Sequence, residues 1–190
     1  YQAVFSLRGK PINCYKESRR KVAENEELNL LISALGVEDD ISNLRYNNII
    51  VATDADDDGM HIRMLVLTFF MKYYPELIRR GHVHILQTPL FRVKNKKQNI
   101  YCYNGKEKED AIKSLGGKVE ITRFKGLGEI SSDEFKDFIG PEMRLDLVKL
   151  AEEESIGEIM LFYMGDNTIE RQHFIMDNLR SEEELEDVDI

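Results

Sequence analysis

The sequence predicts an α/β fold built around parallel strands, and three neighbouring segments carry that prediction. Residues 48–53 and 82–87 are short apolar runs with β-branched residues, as is typical of buried strands. Residues 60–74 lie between them and are apolar over a length that favours a helix. A strand, a helix and a second strand in this order predict a βαβ unit, whose two strands run parallel.

The segments around this unit are assigned in the same way. Residues 6–16 contain a glycine and a proline and predict a loop, and residues 19–35 carry apolar side chains at helical spacing. Gly36 is a suitable end for that helix. Pro75 is expected to open a further helical turn that ends at Gly81, because proline favours the first position of a helix.

The second half of the chain predicts a smaller α+β unit. Residues 90–94 and 99–103 flank a lysine-rich turn and predict a hairpin, and residues 119–124 predict a further strand. We therefore expect a first domain over residues 1–90 and a carboxyl-terminal tail domain over residues 91–180.

The last part of the chain gives one clear helix start and an acidic end. Ser131 and Glu134 have the spacing of a capping box, which predicts a helix start. Residues 142–152 predict a further helix. Residues 181–190 are so acidic that we expect a disordered tail.

The charge distribution is uneven, although the net charge is −9. Six acidic residues lie within the last nine positions, and without them the net charge would be −3. Residues 1–22 carry a net charge of +5 and residues 72–97 carry +6. These two basic blocks could neutralise nucleic-acid phosphates. Ordinary solvated surfaces are the alternative, and composition alone favours that alternative.

Cysteine content and hydropathy point to a cytoplasmic protein without a membrane span. Cys14 and Cys102 have no metal-ligand spacing and are expected to be reduced thiols. No apolar run approaches the roughly 20 residues of a membrane helix. The sequence begins at Tyr1 with neither a starting Met nor a charged leader, so we expect it to be the interior of a longer protein.

An acidic segment directly follows the first predicted strand and is the sharpest functional signal. A strand alternates faces with period two, so we expect Asp54 and Asp56, and Asp58 with them, on one face at the carboxyl end, where α/β sheets bind ligands. Carboxylates so close together repel one another, and a bound divalent cation removes that repulsion. Mg²⁺ prefers such oxygen ligands, with water or phosphate completing its coordination.

Two other interpretations of this segment are possible. Asp54, Asp56 and Asp58 followed by Gly59 match the first half of an EF-hand loop, but the twelfth position is Leu65 rather than the required Glu. The segment could also be a solvated turn that caps the next helix. That interpretation leaves the number of acids after so apolar a strand unexplained.

Cationic side chains surround the acidic segment in sequence. His61 and Arg63 lie at the start of the predicted helix, where backbone N–H groups favour a phosphate. The glycine-containing loops 6–16 and 125–129 also carry lysines, and glycine lets the backbone approach a phosphate closely. Each of these signals is weak alone, because a simple turn or a surface residue is the usual explanation.

Four segments together resemble the type IIA DNA topoisomerase B subunits. Residues 53–63 resemble the DxD motif of the TOPRIM fold, and residues 7–13 resemble the family's "LRGK-x-x-N" segment. Residues 123–129 are similar to "RYKGLGE", and residues 164–171 are similar to the segment that ends the B subunits. The four motifs occur in family order and extend over nearly the whole chain.

The resemblance implies a TOPRIM domain, a Rossmann-like parallel sheet flanked by helices, with a smaller α+β tail domain. It implies that the chain supplies Mg²⁺ for cleavage of double-stranded DNA by a tyrosine of an A-subunit partner, in an A2B2 heterotetramer associated with the nucleoid. It implies metal ligands at Asp54, Asp56 and Asp58. It also implies DNA contacts at Lys10, Asn13, His61, Arg63, Lys125 and Arg171.

The chain also departs from the family pattern. The family's acidic "EGDSA" segment, which carries a further metal ligand and a general acid–base Glu, does not precede Lys10, and the ATP-binding domain is missing. We therefore expect an incomplete metal site and no DNA cleavage by the isolated chain. The large insertion of some gyrase B subunits is absent, and the sequence Lys-Pro-Ile-Asn at residues 10–13 favours topoisomerase IV over gyrase. A non-catalytic module for a divalent metal and a TOPRIM nuclease or primase are the alternatives.

Overall fold

Two three-stranded sheets organise the chain, which we describe from a computed structural model covering residues 2–54, 56–140, 143–150 and 153–178. The α-helices of this part are α1 (Arg19–Glu24), α2 (Glu26–Leu35), α3 (Asp57–Tyr73), α4 (Pro75–Arg79), α5 (Gly105–Leu115), α6 (Ser132–Phe138), α7 (Glu153–Met164) and α8 (Thr168–Asp177). The strands are β1 (Ile49–Val51), β2 (Val83–Leu86), β3 (Phe91–Lys94), β4 (Asn99–Cys102), β5 (Glu120–Arg123) and β6 (Leu145–Leu147). Two 3₁₀ turns, Ile41–Asn43 and Leu127–Glu129, complete the set.

The first sheet has the order β1-β2-β6 and confirms the βαβ unit. β1 and β2 run parallel, with Ile49 opposite Val83 and Val51 opposite Ile85, and α3 and α4 connect them. The predicted α/β class is therefore confirmed.

The predicted helix over residues 142–152 is wrong in its described part, residues 143–150. β6 lies there instead and pairs antiparallel with β2. Leu145, Asp146 and Leu147 alternate apolar and polar side chains, which is the period of a strand, and the second edge of β2 offers them backbone partners. β6 thus joins the first sheet although its residues follow the hairpin in sequence.

The predicted single helix over residues 19–35 is also wrong, because two helices share Asn25 as a boundary. Asn25 ends α1 and its side chain caps α2 by accepting a hydrogen bond from the Leu28 N–H at 3.0 Å. Gly36 ends α2 in the left-handed conformation at φ 75°, as predicted.

Helix α3 supplies the centre of the main core. Leu65, Val66, Phe69 and Phe70 are at most 5% exposed, and the latter three pack in one cluster with residues of β1, β2, α2 and α4. Burying one such side chain stabilises the fold by about 1.5–3 kcal/mol. The rigid packing of α3 matters for function, because its first turn carries the acidic segment.

The second sheet has the order β4-β3-β5 and confirms the predicted hairpin and following strand. Helix α5 packs on it and was not predicted, since its sequence is mostly charged. Asn104 starts it by accepting a hydrogen bond from the Glu107 N–H at 2.8 Å, and Ala111 packs against Val93 and Cys102.

The remaining predictions have mixed outcomes. The capping box is confirmed, because Ser131 and Glu134 bond each other's backbone at the start of α6. The two helices α7 and α8 were not predicted. The predicted tail over residues 181–190 lies outside the described residues. No helix in the described part of the chain is long and apolar enough to cross a membrane.

Candidate functional site

A cleft of about 440 Å³ opens at the carboxyl ends of the parallel strands β1 and β2. This is the edge at which α/β sheets bind ligands. Asp54 follows β1 and Gln87 follows β2, while Asp56 and Arg63 reach the cleft from the start of α3. The second half of the chain contributes further lining residues: Tyr103, Asn104, Glu107, Arg144 and Asp146.

Two glycines leave the space that Asp54 occupies. A Cβ on Gly59 would lie 2.2 Å from the Asp54 carbonyl oxygen, and a Cβ on Gly126 would lie 2.8 Å from its carboxylate carbon. The N–H of Leu127 donates a hydrogen bond of 2.6 Å to Asp54 Oδ1. The loop after β5 therefore reaches Asp54 only because residue 126 has no side chain.

Asp56 lies at the start of α3 and is exposed. It is the N-cap residue, and its Oδ1 accepts a hydrogen bond of 2.7 Å from the N–H of Gly59. This contact fixes the direction of its carboxylate beside the cleft that Asp54 also lines.

The expectation that Asp54, Asp56 and Asp58 share one strand face is wrong. β1 ends at Val51, and Asp58 already lies in the first turn of α3, so the period of a strand does not apply. Among the described residues, no group of three or more His, Cys, Asp or Glu side chains is arranged to hold a metal.

Asp54 and Asp56 nevertheless fit Mg²⁺ as a pair. Both carboxylates line one cleft, and the hydrogen bonds described above use Oδ1 of each, so neither bond involves Oδ2. Protein sites for Mg²⁺ often provide one or two carboxylates, with water and phosphate filling the remaining positions. The pair suits such an open site and not a closed cage of protein ligands.

Three of the predicted DNA-contacting cations lie near these carboxylates. Arg63 lines the cleft, and its guanidinium donates to Thr53 Oγ1 from Nε at 3.3 Å and from Nη2 at 3.1 Å. His61 is exposed on the first turns of α3, and Lys125 is exposed next to Gly126. Arg63 is thus oriented by a buried hydroxyl, whereas the other two side chains project towards solvent.

Lys10 and Asn13 lie in one loop, which contacts the acidic segment through Lys10. Lys10 Nζ is 2.6 Å from Asp58 Oδ1, and this hydrogen bond, with the ammonium charge, lowers the pKa of Asp58 below its ordinary value. Asn13 donates from Nδ2 to the carbonyl of Met164 at 2.9 Å. The loop that carries both residues is therefore joined to α3 and to the end of α7.

Arg171 lies in α8 and contacts the end of α7 through one guanidinium nitrogen. Its Nη1 lies within hydrogen-bonding distance of three carbonyl oxygens, those of Phe162 (2.9 Å), Tyr163 (3.3 Å) and Gly165 (2.9 Å). It also donates to Asn167 Oδ1 at 3.1 Å. Arg171 satisfies the last carbonyls of α7 that have no partner within the helix.

Sequence reasoning missed the residues that line the cleft beyond the acidic segment and Arg63. Arg144 pairs with Glu107 at 2.8 Å and stacks 4.0 Å from the Tyr103 ring centre. Partial burial raises the pKa of Glu107, but the hydrogen bonds from Arg144 and the Tyr103 N–H outweigh it and hold the pKa low. Gln87 donates to Asp146 at 2.7 Å. Gln87 alone had a usable signal, because it is the last residue of a predicted parallel strand.

Two family models match the chain. The model described as "Toprim domain" matches residues 1–88, and the model "DNA gyrase B subunit, carboxyl terminus" matches residues 116–176. The crystal structure of the Plasmodium falciparum topoisomerase II DNA-binding, cleavage and re-ligation domain has the same fold. It superposes with a TM-score of 0.74 at 24% identity, over 92% of this chain and 25% of that one.

Similar proteins include B subunits of DNA topoisomerase 4 and of DNA gyrase. The B subunit of DNA topoisomerase 4 from Borreliella burgdorferi is 54% identical over 94% of this chain and 30% of its own length. The gyrase B subunit of Clostridium acetobutylicum is 41% identical, and that of Thermus thermophilus is 40% identical. The chain spans about 30% of the length of these relatives. It belongs to the family of type II DNA topoisomerase B subunits, and its two matched segments correspond to sequence of the Toprim domain and of the carboxyl terminus.

Proposed function

We propose that this chain is the part of a type II topoisomerase B subunit that binds Mg²⁺ for cleavage and religation of double-stranded DNA. The observation that carries the proposal is the cleft at the carboxyl ends of β1 and β2, which brings together Asp54, Asp56 and Arg63. Two carboxylates and a guanidinium at one open edge suit a metal-bound phosphodiester. The tyrosine that attacks the phosphodiester belongs to an A-subunit partner.

Asp54 and Asp56 are the proposed metal ligands, and Asp58 supports them through its ion pair with Lys10. Bound Mg²⁺ would stabilise the negative charge that develops on the phosphate oxygens during the in-line transfer. Asp54 is held in place by the N–H of Leu127, and Asp56 by the N–H of Gly59, so neither carboxylate has to reorganise.

The cations are proposed to position the DNA backbone. Arg63, held by Thr53, can pair with a phosphate in the cleft, and Lys10, His61 and Lys125 are exposed around it. These contacts read no bases. For Asn13 and Arg171, their bonds to backbone carbonyls favour a supporting role, in which they hold the DNA-contacting loop and α7 in place.

Within the family we propose topoisomerase IV over gyrase. The 54% identity with the B subunit of a topoisomerase 4, against 41% and 40% with gyrase B subunits, supports this choice. Decatenation without ATP-dependent negative supercoiling, measured on the full-length protein with its A subunit, is the expected result. ATP-dependent negative supercoiling would identify a gyrase.

The partner subunit and cellular location complete the proposal. We propose an A2B2 assembly on nucleoid DNA in the cytoplasm, with ATP hydrolysed by another domain of the full-length protein.

Clusters of exposed apolar side chains mark protein contact surfaces. Helices α7 and α8 carry several such side chains: Ile159, Leu161, Tyr163, Ile169, Phe174, Ile175 and Met176.

The test is Mg²⁺-titrated DNA cleavage by the full-length protein reconstituted with its A subunit. Asp54→Asn removes one metal-binding charge at nearly constant volume, and cleavage should fall by about a hundred- to a thousand-fold. Asp39→Asn, in an exposed turn before β1, is the matched control. Normal cleavage by Asp54→Asn at every Mg²⁺ concentration would refute the metal assignment.

A further inference from the structure

Residues 10–17, here named the strap, are fastened at both ends of helix α3. At the first turn of α3, Lys10 pairs with Asp58 at 2.6 Å. At the last turn, Lys72 contacts the other end of the strap. A helix of 17 residues is about 25 Å long, so the strap follows α3 from its acidic end to its far end.

Lys72 holds the strap with its whole ammonium group. Its Nζ donates to the carbonyl oxygens of Cys14, Tyr15 and Glu17, at 2.8, 3.0 and 2.9 Å. An ammonium has three N–H donors, and three acceptors use all of them. The hydroxyl of Tyr73 adds a fourth bond to the Glu17 carbonyl at 3.0 Å. Lys72 therefore has no donor left for a phosphate.

The contacts of Lys72 fix a part of the strap that has little regular structure of its own. Cys14 is 0% exposed and belongs to the main core, next to the aromatic side chains of α3. Cys14 lies four positions after Lys10, so the chain between them reaches at most about 14 Å. Pro11 is buried within this stretch and restricts its backbone. Fixing the carbonyls of residues 14–17 thus limits where Lys10 can lie.

We propose that Lys72 is a positioning residue, which places Lys10 beside the acidic segment without touching DNA itself. This inference rests on the proposed DNA contact of Lys10. A lysine that contacted a phosphate directly would act independently of Lys10, whereas a positioning lysine acts through it. The two cases differ in how the effects of substitutions combine.

The anchoring itself is tested by labelling Cys14 in the full-length protein. N-ethylmaleimide modification of Cys14, followed by peptide mass mapping, should be at least tenfold faster in Lys72→Met than in wild type, because the buried strap opens. Lys94→Met, an exposed lysine of β3, is the matched control and should label like wild type. Tyr73→Phe should give a smaller increase, and it carries the test if Lys72→Met does not fold. Unchanged labelling in both variants would overturn the proposal.

The positioning role is tested by a double-mutant cycle on affinity for a short DNA duplex at fixed salt. Lys10→Met and Lys72→Met should each weaken binding, and the double variant should bind about as well as the weaker single variant. Additive losses would show that Lys72 acts independently and would overturn the proposal. If Lys10→Met alone binds DNA normally, Lys10 does not contact DNA, and the positioning role of Lys72 is refuted as well. In that case faster Cys14 labelling in Lys72→Met would still show that Lys72 anchors the strap, whereas unchanged labelling would show that it does not.

Discussion

Two glycine-containing loops with lysines contact the acidic segment, and they are built in different ways. The loop over residues 7–17 is fastened by side chains, since Lys10 and Lys16 pair with Asp58 and Asp166. The loop over residues 124–129 acts through its backbone, because the N–H of Leu127 binds Asp54 and Gly126 makes room for it. The first loop thus holds the Lys10 cation near the site, whereas the second loop holds the carboxylate of Asp54.

Substitutions of Gly126 and Gly9, one glycine in each loop, should distinguish the two loops most clearly. Gly126 has φ −161°, which any residue adopts, so Gly126→Ala adds only the contact of a Cβ with the Asp54 carboxylate. We expect Mg²⁺-dependent cleavage by the reconstituted enzyme to fall by roughly ten- to a hundredfold, because small misplacements of a reacting group are costly. The Mg²⁺ concentration for half-maximal cleavage should rise, while the melting temperature should change little.

Gly9→Ala is the matched variant in the other loop. Gly9 has φ +79° with no heavy atom within 4 Å of an added Cβ, so the substitution introduces backbone strain and no clash. It should lower stability by about 1–2 kcal/mol and leave the half-maximal Mg²⁺ concentration unchanged. The different roles of the two loops would be contradicted if Gly9→Ala raised the half-maximal Mg²⁺ concentration and Gly126→Ala lowered only stability.

The lysines of the two loops should differ in their contribution to salt dependence. Each phosphate contact contributes about 0.9 to the slope of log affinity against log salt. Lys125 is exposed, so Lys125→Met should lower the slope by about that amount. Lys10 is already paired with Asp58, so Lys10→Met should lower it by less. Equal changes would mean that the pair with Asp58 opens completely when DNA binds.

The smallest expected effect concerns Glu134 in helix α6, which follows the second loop, and it is an effect on stability that depends on pH. The hydrogen bond from Arg92 lowers the pKa of Glu134 below 4.5, with further bonds from Ser131 and Tyr101 that together exceed the effect of burial. A depressed carboxyl pKa stabilises the fold above the ordinary pKa, and this stability is lost as pH falls through the folded value.

Glu134→Gln should therefore destabilise the protein by about 1 kcal/mol near pH 7, because a charge-assisted bond at a partly exposed site is lost. The difference from wild type, measured by thermal melting, should shrink as the pH falls below 4.5. The exposed Glu109→Gln is the control. A constant difference across pH would show that the charge of Glu134 does not matter.

Local patterns predicted the elements that position the site. The apolar runs of β1 and β2, the stop at Gly36 and the capping box of Ser131 and Glu134 are short-range signals, and all four are confirmed. The alternation of Leu145 and Leu147 was also present in the sequence. The prediction over residues 142–152 was a helix, and pairing with β2 selects the strand instead.

The contacts around the carboxylates could not be predicted locally. The partner of Asp54 is the N–H of Leu127, 73 positions away, and the role of Gly126 depends on that approach. The three acids were expected on a strand, but the cap at Asp56 turns the chain into α3 before Asp58. Arg171 matched a family motif, yet its contacts are with the carbonyls of α7, which the motif does not reveal.

Direct metal binding tests the central assignment without relying on DNA cleavage. Mn²⁺, a spectroscopic substitute for Mg²⁺, can be titrated into the full-length protein and followed by electron paramagnetic resonance. Wild type and Asp39→Asn should bind Mn²⁺ at one common site, and Asp54→Asn and Asp56→Asn should each weaken that site at least tenfold. Equal Mn²⁺ affinity and stoichiometry in all four proteins would contradict a metal site at Asp54 and Asp56.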